Sequence, residues 1–207
     1  MKRSFNLISI LILLVFFIPS KLYAQNWDID ILKSINPDHP TSTYWKTTSS
    51  SAYYLSGTVA LGTLVYSLVD DNVQAKHNAA ELFINYGIST LVSEGLKISI
   101  NRTRPADRYP GVIFVSSPVH GKSFPSGHTT LAFSTATSLA LDYPKWYVVI
   151  PAYLWAGSVG YSRLYLGKHY PTDVLGGAVI GIGSGYVSHW LTRQIFKPYE
   201  LKHKPHE

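Results

Sequence analysis

The 207-residue chain has no cysteine, and only 14% of its residues are charged. The first absence excludes disulfides, a cysteine nucleophile, thiolate metal sites and lipid attachment through a thiol. Charge at 14% is well under the ~25% usual in soluble domains, which fits a surface that faces lipid. There is also no internal repeat, low-complexity tract or linker, so the chain reads as one domain. No H-x-x-E-H or H-E-x-x-H spacing occurs, and the sequence predicts neither a metal nor another cofactor. Acidic residues number 12 against 18 lysines and arginines, giving a formal charge of +6. That surplus suits phosphate headgroups and anionic membranes, and no basic helix or aromatic platform argues for nucleic acid.

What the chain does have is apolar runs. After M-K-R-S comes an uncharged apolar stretch at 5–18, then a small residue at Ala24. Residues 1–24 are therefore expected to be a secretory signal with cleavage after Ala24, or a first membrane anchor, ahead of a helical-bundle domain at 25–207. Further nearly charge-free segments lie at 52–69, 82–100, 129–141, 146–161 and 174–191. They predict an all-α bundle of about six membrane-spanning helices, five if the signal is removed. Alternate crossings then put the basic N-terminus and the basic tail inside, as the positive-inside tendency expects, and the loops between the other ends outside. Tyr53, Tyr54, Trp146, Tyr147, Tyr161, Tyr165, Tyr170 and Trp190 fall at segment ends, where an interfacial aromatic belt is expected. Gly177, Gly181 and Gly185 are spaced by four and predict a smooth face for close helix packing. Residues 27–36 have apolar positions at helical spacing and predict a helix along the outer interface.

Three short strings carry chemistry, and the crossing pattern puts all three on the outer side. In S-R-L-Y-L-G-K-H-Y-P-T-D, His169 and Asp173 are four apart, so a helix starting near Tyr170 and Pro171 would stack them on one face. The carboxylate would hold one ring nitrogen as N–H and leave the other free to act as nucleophile or base. Arg163 adds a planar fork that matches two phosphate oxygens. In F-P-S-G-H-T-T, Ser126 is the expected N-cap of a helix whose unpaired N–H groups would cradle an anion. Gly127 would let that backbone approach an oxyanion, and His128 would be placed to protonate a leaving oxygen. In K-I-S-I-N-R-T-R-P, Lys97 and Arg104 would neutralise charge on the equatorial oxygens, with Pro105 turning the chain into a loop. His120, Lys122, Lys168, Arg102 and Arg108 are read as loop residues or added positive potential. His39, His77, His189, His203 and His206 show no partner pattern.

Together, K-x6-R-P, P-S-G-H and S-R-x5-H-x3-D resemble the three-part signature of the type 2 phosphatidic acid phosphatase superfamily, with no signature residue missing. The resemblance implies a metal-free phosphatase. His169 would form a phosphohistidine, Asp173 would orient it, and His128 would be general acid and then base. Lys97, Arg104 and Arg163, with Ser126 and Gly127, would bind the phosphoryl oxygens. The residues alone leave open which histidine attacks, although only His169 has a carboxylate at helical distance. Expected substrates are lipid phosphate monoesters or diphosphates, hydrolysed at the periplasmic face of the inner membrane. Two other readings remain: a soluble periplasmic acid phosphatase, and a membrane protein that binds phospholipid without turnover.

Overall fold

The structure is a computed structural model that describes residues 24–70 and 73–202. The expected signal or anchor over 1–24 lies almost wholly outside the described residues. Among them there is no strand, and the all-α expectation holds. The helices are α1 (Ala24–Ile35), α2 (Thr43–Val69), α3 (Val73–Ile100), α4 (Pro105–Arg108), α5 (Gly127–Asp142), α6 (Trp146–Tyr165) and α7 (Pro171–Lys202). Each of the five apolar segments after residue 50 falls inside one long helix. By length and composition, two helices among the described residues are apolar enough to cross a membrane, at Thr43–Val69 and Pro171–Phe196.

Why the other three fall short is clearest at α5. Its 16 residues rise only about 24 Å, less than the ~30 Å hydrocarbon core. It is instead the central post, with α2, α3, α6 and α7 packed around it. Eight of its residues are buried, and six of those are Ser or Thr. Their hydroxyls are satisfied by neighbours: Thr135 with Ser56 at 2.7 Å and Tyr86 at 2.9 Å, and Ser134 with Asn85 at 2.7 Å. Asn85 also donates to the Ser134 carbonyl at 2.9 Å and the Ser138 hydroxyl at 2.8 Å. Buried polar groups with partners cost little, whereas the same groups facing lipid would be unsatisfied.

The bundle is therefore small and polar within, large and apolar without. On α2, Ser49, Ala52, Ser56, Ala60 and Ser67 face inward, while Leu61, Leu64, Val65 and Leu68 are exposed. Alanines from α2, α5 and α6 form one core cluster, at Ala52, Ala132, Ala136, Ala152 and Ala156. Lipid tails are as apolar as leucine, so close backbone approach between small residues, and not leucine burial, holds such helices together. The glycine face of α7 obeys the same rule. A Cβ on Gly177 would meet the Ser126 carbonyl oxygen at 2.7 Å, one on Gly181 the Thr130 carbonyl at 2.5 Å, and one on Gly185 the Thr137 side chain at 2.6 Å. The three glycines form an intramolecular seam against α5.

The aromatic belt is only partly as expected. Tyr53, Tyr54, Trp146, Tyr147, Tyr161 and Trp190 are exposed, but Tyr170 is buried and Tyr165 half-buried. Tyr165 lies near Trp45, and Tyr170 joins a second core cluster with Ile29, Leu32, Ile113 and Leu164. That cluster docks α1 over one end of the bundle. Ile29 and Leu32 point in and Trp27, Asp30 and Lys33 point out, as the helical spacing predicts.

Candidate active site

The three strings converge at the end of the bundle under α1. α3 stops at Ile100 because Asn101 takes a left-handed φ of 52°. Arg104 is therefore not two turns along the helix from Lys97. It is the extended residue before Pro105, which begins the one-turn helix α4 in place of the expected loop. Its guanidinium crosses to the third string. Nη1 donates to the Lys168 carbonyl at 2.8 Å and lies 3.3 Å from His169 Nε2, and Nε donates to the Gly121 carbonyl at 3.0 Å.

His169 is also off the helix, two residues ahead of α7. Gly167 makes this possible with a φ of +68°, at a spot where a Cβ would fall 2.2 Å from the Phe114 carbonyl oxygen. Asn36 fastens the same corner, donating to the Phe114 and Tyr165 carbonyls at 2.9 Å each. The imidazole is buried, with Nδ1 2.8 Å from the Ser123 carbonyl and 3.5 Å from Asp173 Oδ2. A carbonyl only accepts and a guanidinium only donates, so the pair fixes the tautomer: hydrogen on Nδ1, lone pair on Nε2. The spacing argument expected the carboxylate to hold Nδ1 directly. The nearer partner is Ser123, and Asp173 acts largely on its surroundings.

Asp173 is fully buried and saturated with donors. Oδ1 accepts from Arg102 at 2.7 Å, while Oδ2 accepts from the Tyr170 N–H at 2.9 Å and from the Ser123 hydroxyl. Ser123 is thus positioned by Asp173 through its hydroxyl and holds His169 through its carbonyl. Arg102 continues outward to Asp28 of α1 at 2.5 Å.

The middle string forms the cradle. Ser126 is the N-cap of α5, but its hydroxyl makes no capping bond and instead accepts from the Thr129 hydroxyl at 2.9 Å. Its N–H donates to the Asp173 carbonyl at 3.0 Å, which ties the heads of α5 and α7 together. The N–H groups of Gly127 and His128 follow at the helix start, where no intrahelical carbonyl is available to them. Lys97 Nζ hangs 3.4 Å from where a Gly127 Cβ would sit, and also pairs with Glu94 at 2.5 Å. The His128 ring meets Tyr53 edge-on at 4.6 Å.

Arg163, in the last turn of α6, is 4% exposed, and Ser49 of α2 accepts from its Nη1. Its Nε is buried without a partner, so a donor stands ready for an anion. Crowding of cations marks the same need. Burial, then Arg163 and Arg104, push Lys168 down to about 8, and burial lowers Arg104. Burial above all, with the charge of Arg163 against the pull of Asp173, holds His169 down at about 4. His128, ahead of the apolar span of α5, is lowered by burial and then by Arg163, His169, Lys168 and Lys97.

A cavity of about 800 Å³ opens beside this site, lined by Arg104 and Lys168 together with Asp38, His39, Asp107 and His120. Sequence reasoning left His39 without a partner pattern and read His120 as a solvated loop residue; both line the approach. Asp28, Ser49 and Ser123 were not singled out at all, and Tyr53 was read only as a belt aromatic, since each acts through contacts far away in sequence. His189, for which no partner was expected, lies 2.6 Å from Glu81, and Asp142 completes a trio with ligand atoms within 4.8 Å of one another. Two carboxylates and an imidazole suit a divalent cation by type. The trio is at the opposite end of α5 from His128, about 20 Å along the helix, and is remote from the residues gathered around His169. His77 packs on Phe196 at 4.2 Å between ring centres.

The profile of the PAP2 superfamily matches residues 78–197. Lipid A 1-phosphatase of Porphyromonas gingivalis is 41% identical over 78 residues, which are 36% of this chain and 17% of that protein. The chain spans less than half the length of the other lipid A phosphatases it matches. The crystal structure of Aquifex aeolicus LpxE superposes with a TM-score of 0.65 at 29% identity, covering 78% of this chain and 94% of that one. The fold extends further: a transmembrane PAP2 type phosphatidylglycerolphosphate phosphatase from Bacillus subtilis gives a TM-score of 0.62 at 24% identity, over 97% of this chain and 96% of that one.

Proposed function

This chain belongs to the PAP2 superfamily, and from that premise we propose that it is a membrane phosphatase that hydrolyses lipid phosphate monoesters or the terminal phosphate of lipid diphosphates. The observation that carries the reading is the His169 ring, held by Ser123 on one side and open on the other to Arg104. Its Nε2 lone pair faces the cations that would hold a phosphoryl group.

In the first step Nε2 of His169 forms a bond to phosphorus as the bond to the leaving oxygen breaks. That oxygen takes the proton of His128. Lys97, Arg104, Arg163 and the N–H groups of Gly127 and His128 take up the charge on the three equatorial oxygens. Burial depresses His128 most and the cations add to it; a bound phosphate offsets the cations' share and so favours the protonated ring when substrate is present. In the second step neutral His128 removes a proton from water, the water oxygen attacks phosphorus, and the N–P bond breaks. Inorganic phosphate leaves and His169 returns to its starting tautomer. The charge neutralisation comes from side chains, so the proposed route is metal-independent.

The alternate crossings expected from the sequence support a site on the periplasmic face of the inner membrane, and residues 25–207 are the proposed catalytic domain. Lipid A phosphates, phosphatidylglycerol phosphate, phosphatidic acid and undecaprenyl diphosphate are the substrates to test. Purified protein in detergent with chelator present should release phosphate from at least one of them, and His169→Ala should abolish release without loss of expression. Full turnover by His169→Ala would remove the nucleophile assignment. A binding protein without turnover is the other reading, but the cations alone would serve it and the fixed His169 tautomer would be superfluous.

A further inference from the structure

Asp28 lies on α1, far in sequence from all three signature strings, yet it is 1% exposed and fully engaged. One oxygen accepts the backbone N–H of Thr172 at 2.9 Å, and the other accepts the Thr172 hydroxyl and Arg102 Nη2 at 2.5 Å each. Thr172 is the second residue of α7, so Asp28 caps from outside the helix whose third residue is Asp173. Arg102 then bridges the two carboxylates, with 2.5 Å to Asp28 and 2.7 Å to Asp173, and donates to Thr172 at 2.6 Å. Its guanidinium carbon stacks 3.9 Å from the centre of the Tyr170 ring. Each of these groups is fixed by two or more others.

Resting on the phosphatase reading above, we propose that Asp28 is a positioning residue for the nucleophile, acting through Arg102 and Asp173, so that docking of α1 completes the active site. The path is continuous. Asp28 fixes Arg102 and the head of α7; these fix Asp173; Asp173 fixes the Ser123 hydroxyl; and the Ser123 carbonyl holds Nδ1 of His169. Apolar residues in place of the whole Asp28–Arg102 pair would avoid its desolvation cost, so a buried ion pair here is weak evidence for a role in stability alone. Orienting a reacting ring is a task that does require it. The contacts of Asp28 do not include Lys97, Arg104 or Arg163, so its loss should slow reaction without loosening the grip on phosphate. Small misplacements of a reacting group cost on the order of 10- to 100-fold in rate.

The test uses the full chain in detergent with the lipid phosphate from the panel above that wild type turns over fastest, and with inorganic phosphate as competing inhibitor. Asp28→Asn keeps the shape and loses the charge. Its kcat should fall at least about tenfold, with KM and the phosphate inhibition constant within about twofold of wild type. Asp28→Glu, which restores a carboxylate, should recover kcat to within about threefold of wild type. The proposal is overturned if Asp28→Asn turns over at the wild-type rate, if KM and phosphate inhibition weaken in step with kcat, if Asp28→Glu is as slow as Asp28→Asn, or if Asp28→Asn does not fold. A wild-type chain inactive on the whole panel overturns the phosphatase reading beneath it, which is a separate result from an active wild type matched by Asp28→Asn.

Discussion

Arg104 donates toward the same lone pair of His169 that would attack phosphorus, at 3.3 Å. A guanidinium cannot accept a hydrogen bond, so this contact keeps Nε2 unprotonated before substrate arrives. When a phosphoryl group enters, the donor has a better partner in its oxygens and the lone pair is released.

From that relationship, Arg104→Lys should be a poor substitute even though the charge is kept. Lysine lacks the fork that reaches His169, Lys168 and Gly121 at once. A loss in kcat/KM on the order of 10²-fold is expected in a steady-state assay on the preferred lipid phosphate. A loss under threefold would show that charge alone matters.

The pH dependence has a definite sign. A protonated Nε2 cannot attack, and His169 is held down at about 4, below the ordinary 6.5. Activity governed by this ring should therefore persist below pH 6 and be lost as pH falls through about 4. A kcat/KM profile from pH 3 to 9, corrected for the substrate's own ionisation, reads this directly. An acid limb near 6.5 would contradict the buried setting of the ring.

Ser49 is a second support that lies outside the signature strings. Its hydroxyl accepts from Arg163, whose Nε is buried without a partner. A hydrogen bond to a charged group is worth about 1.5–3 kcal/mol, so Ser49→Ala should lower kcat/KM roughly tenfold, and the loss should appear mainly in KM. An unchanged KM would mean that Arg163 is held well enough by its burial.

The packing of α7 supplies a matched pair of stability tests. Gly181→Ala would place a methyl group 2.5 Å from the Thr130 carbonyl and should cost about 1–3 kcal/mol. Gly183→Ala, two residues on, meets nothing within 4 Å and should stabilise by up to about 0.5–1 kcal/mol. Thermal unfolding in detergent should separate the two by several degrees; equal melting temperatures would sink the account of the seam.

Much of this protein is set by local sequence. Apolar runs of helical length placed all five long helices after residue 42, because a backbone in an apolar setting must satisfy its own hydrogen bonds. The three strings identified Lys97, Arg104, His128, Arg163, His169 and Asp173 because phosphate chemistry needs those groups. The glycines at 177, 181 and 185 announced a close contact because a four-residue spacing keeps them on one side of a helix.

Tertiary structure decided what those groups touch. That α5 would be a buried post was not visible in its composition, since Ser and Thr hydroxyls are tolerable only when neighbours such as Ser56, Asn85 and Tyr153 accept or donate to them. That Ser123 holds His169, and that Asp28 reaches Asp173 through Arg102 and Thr172, depends on residues up to 144 positions apart being brought within hydrogen-bond range. Spacing along a chain fixes which residues share a helix face, but only packing brings together faces from different helices, and here the His169 ring is oriented by groups that packing brings to it.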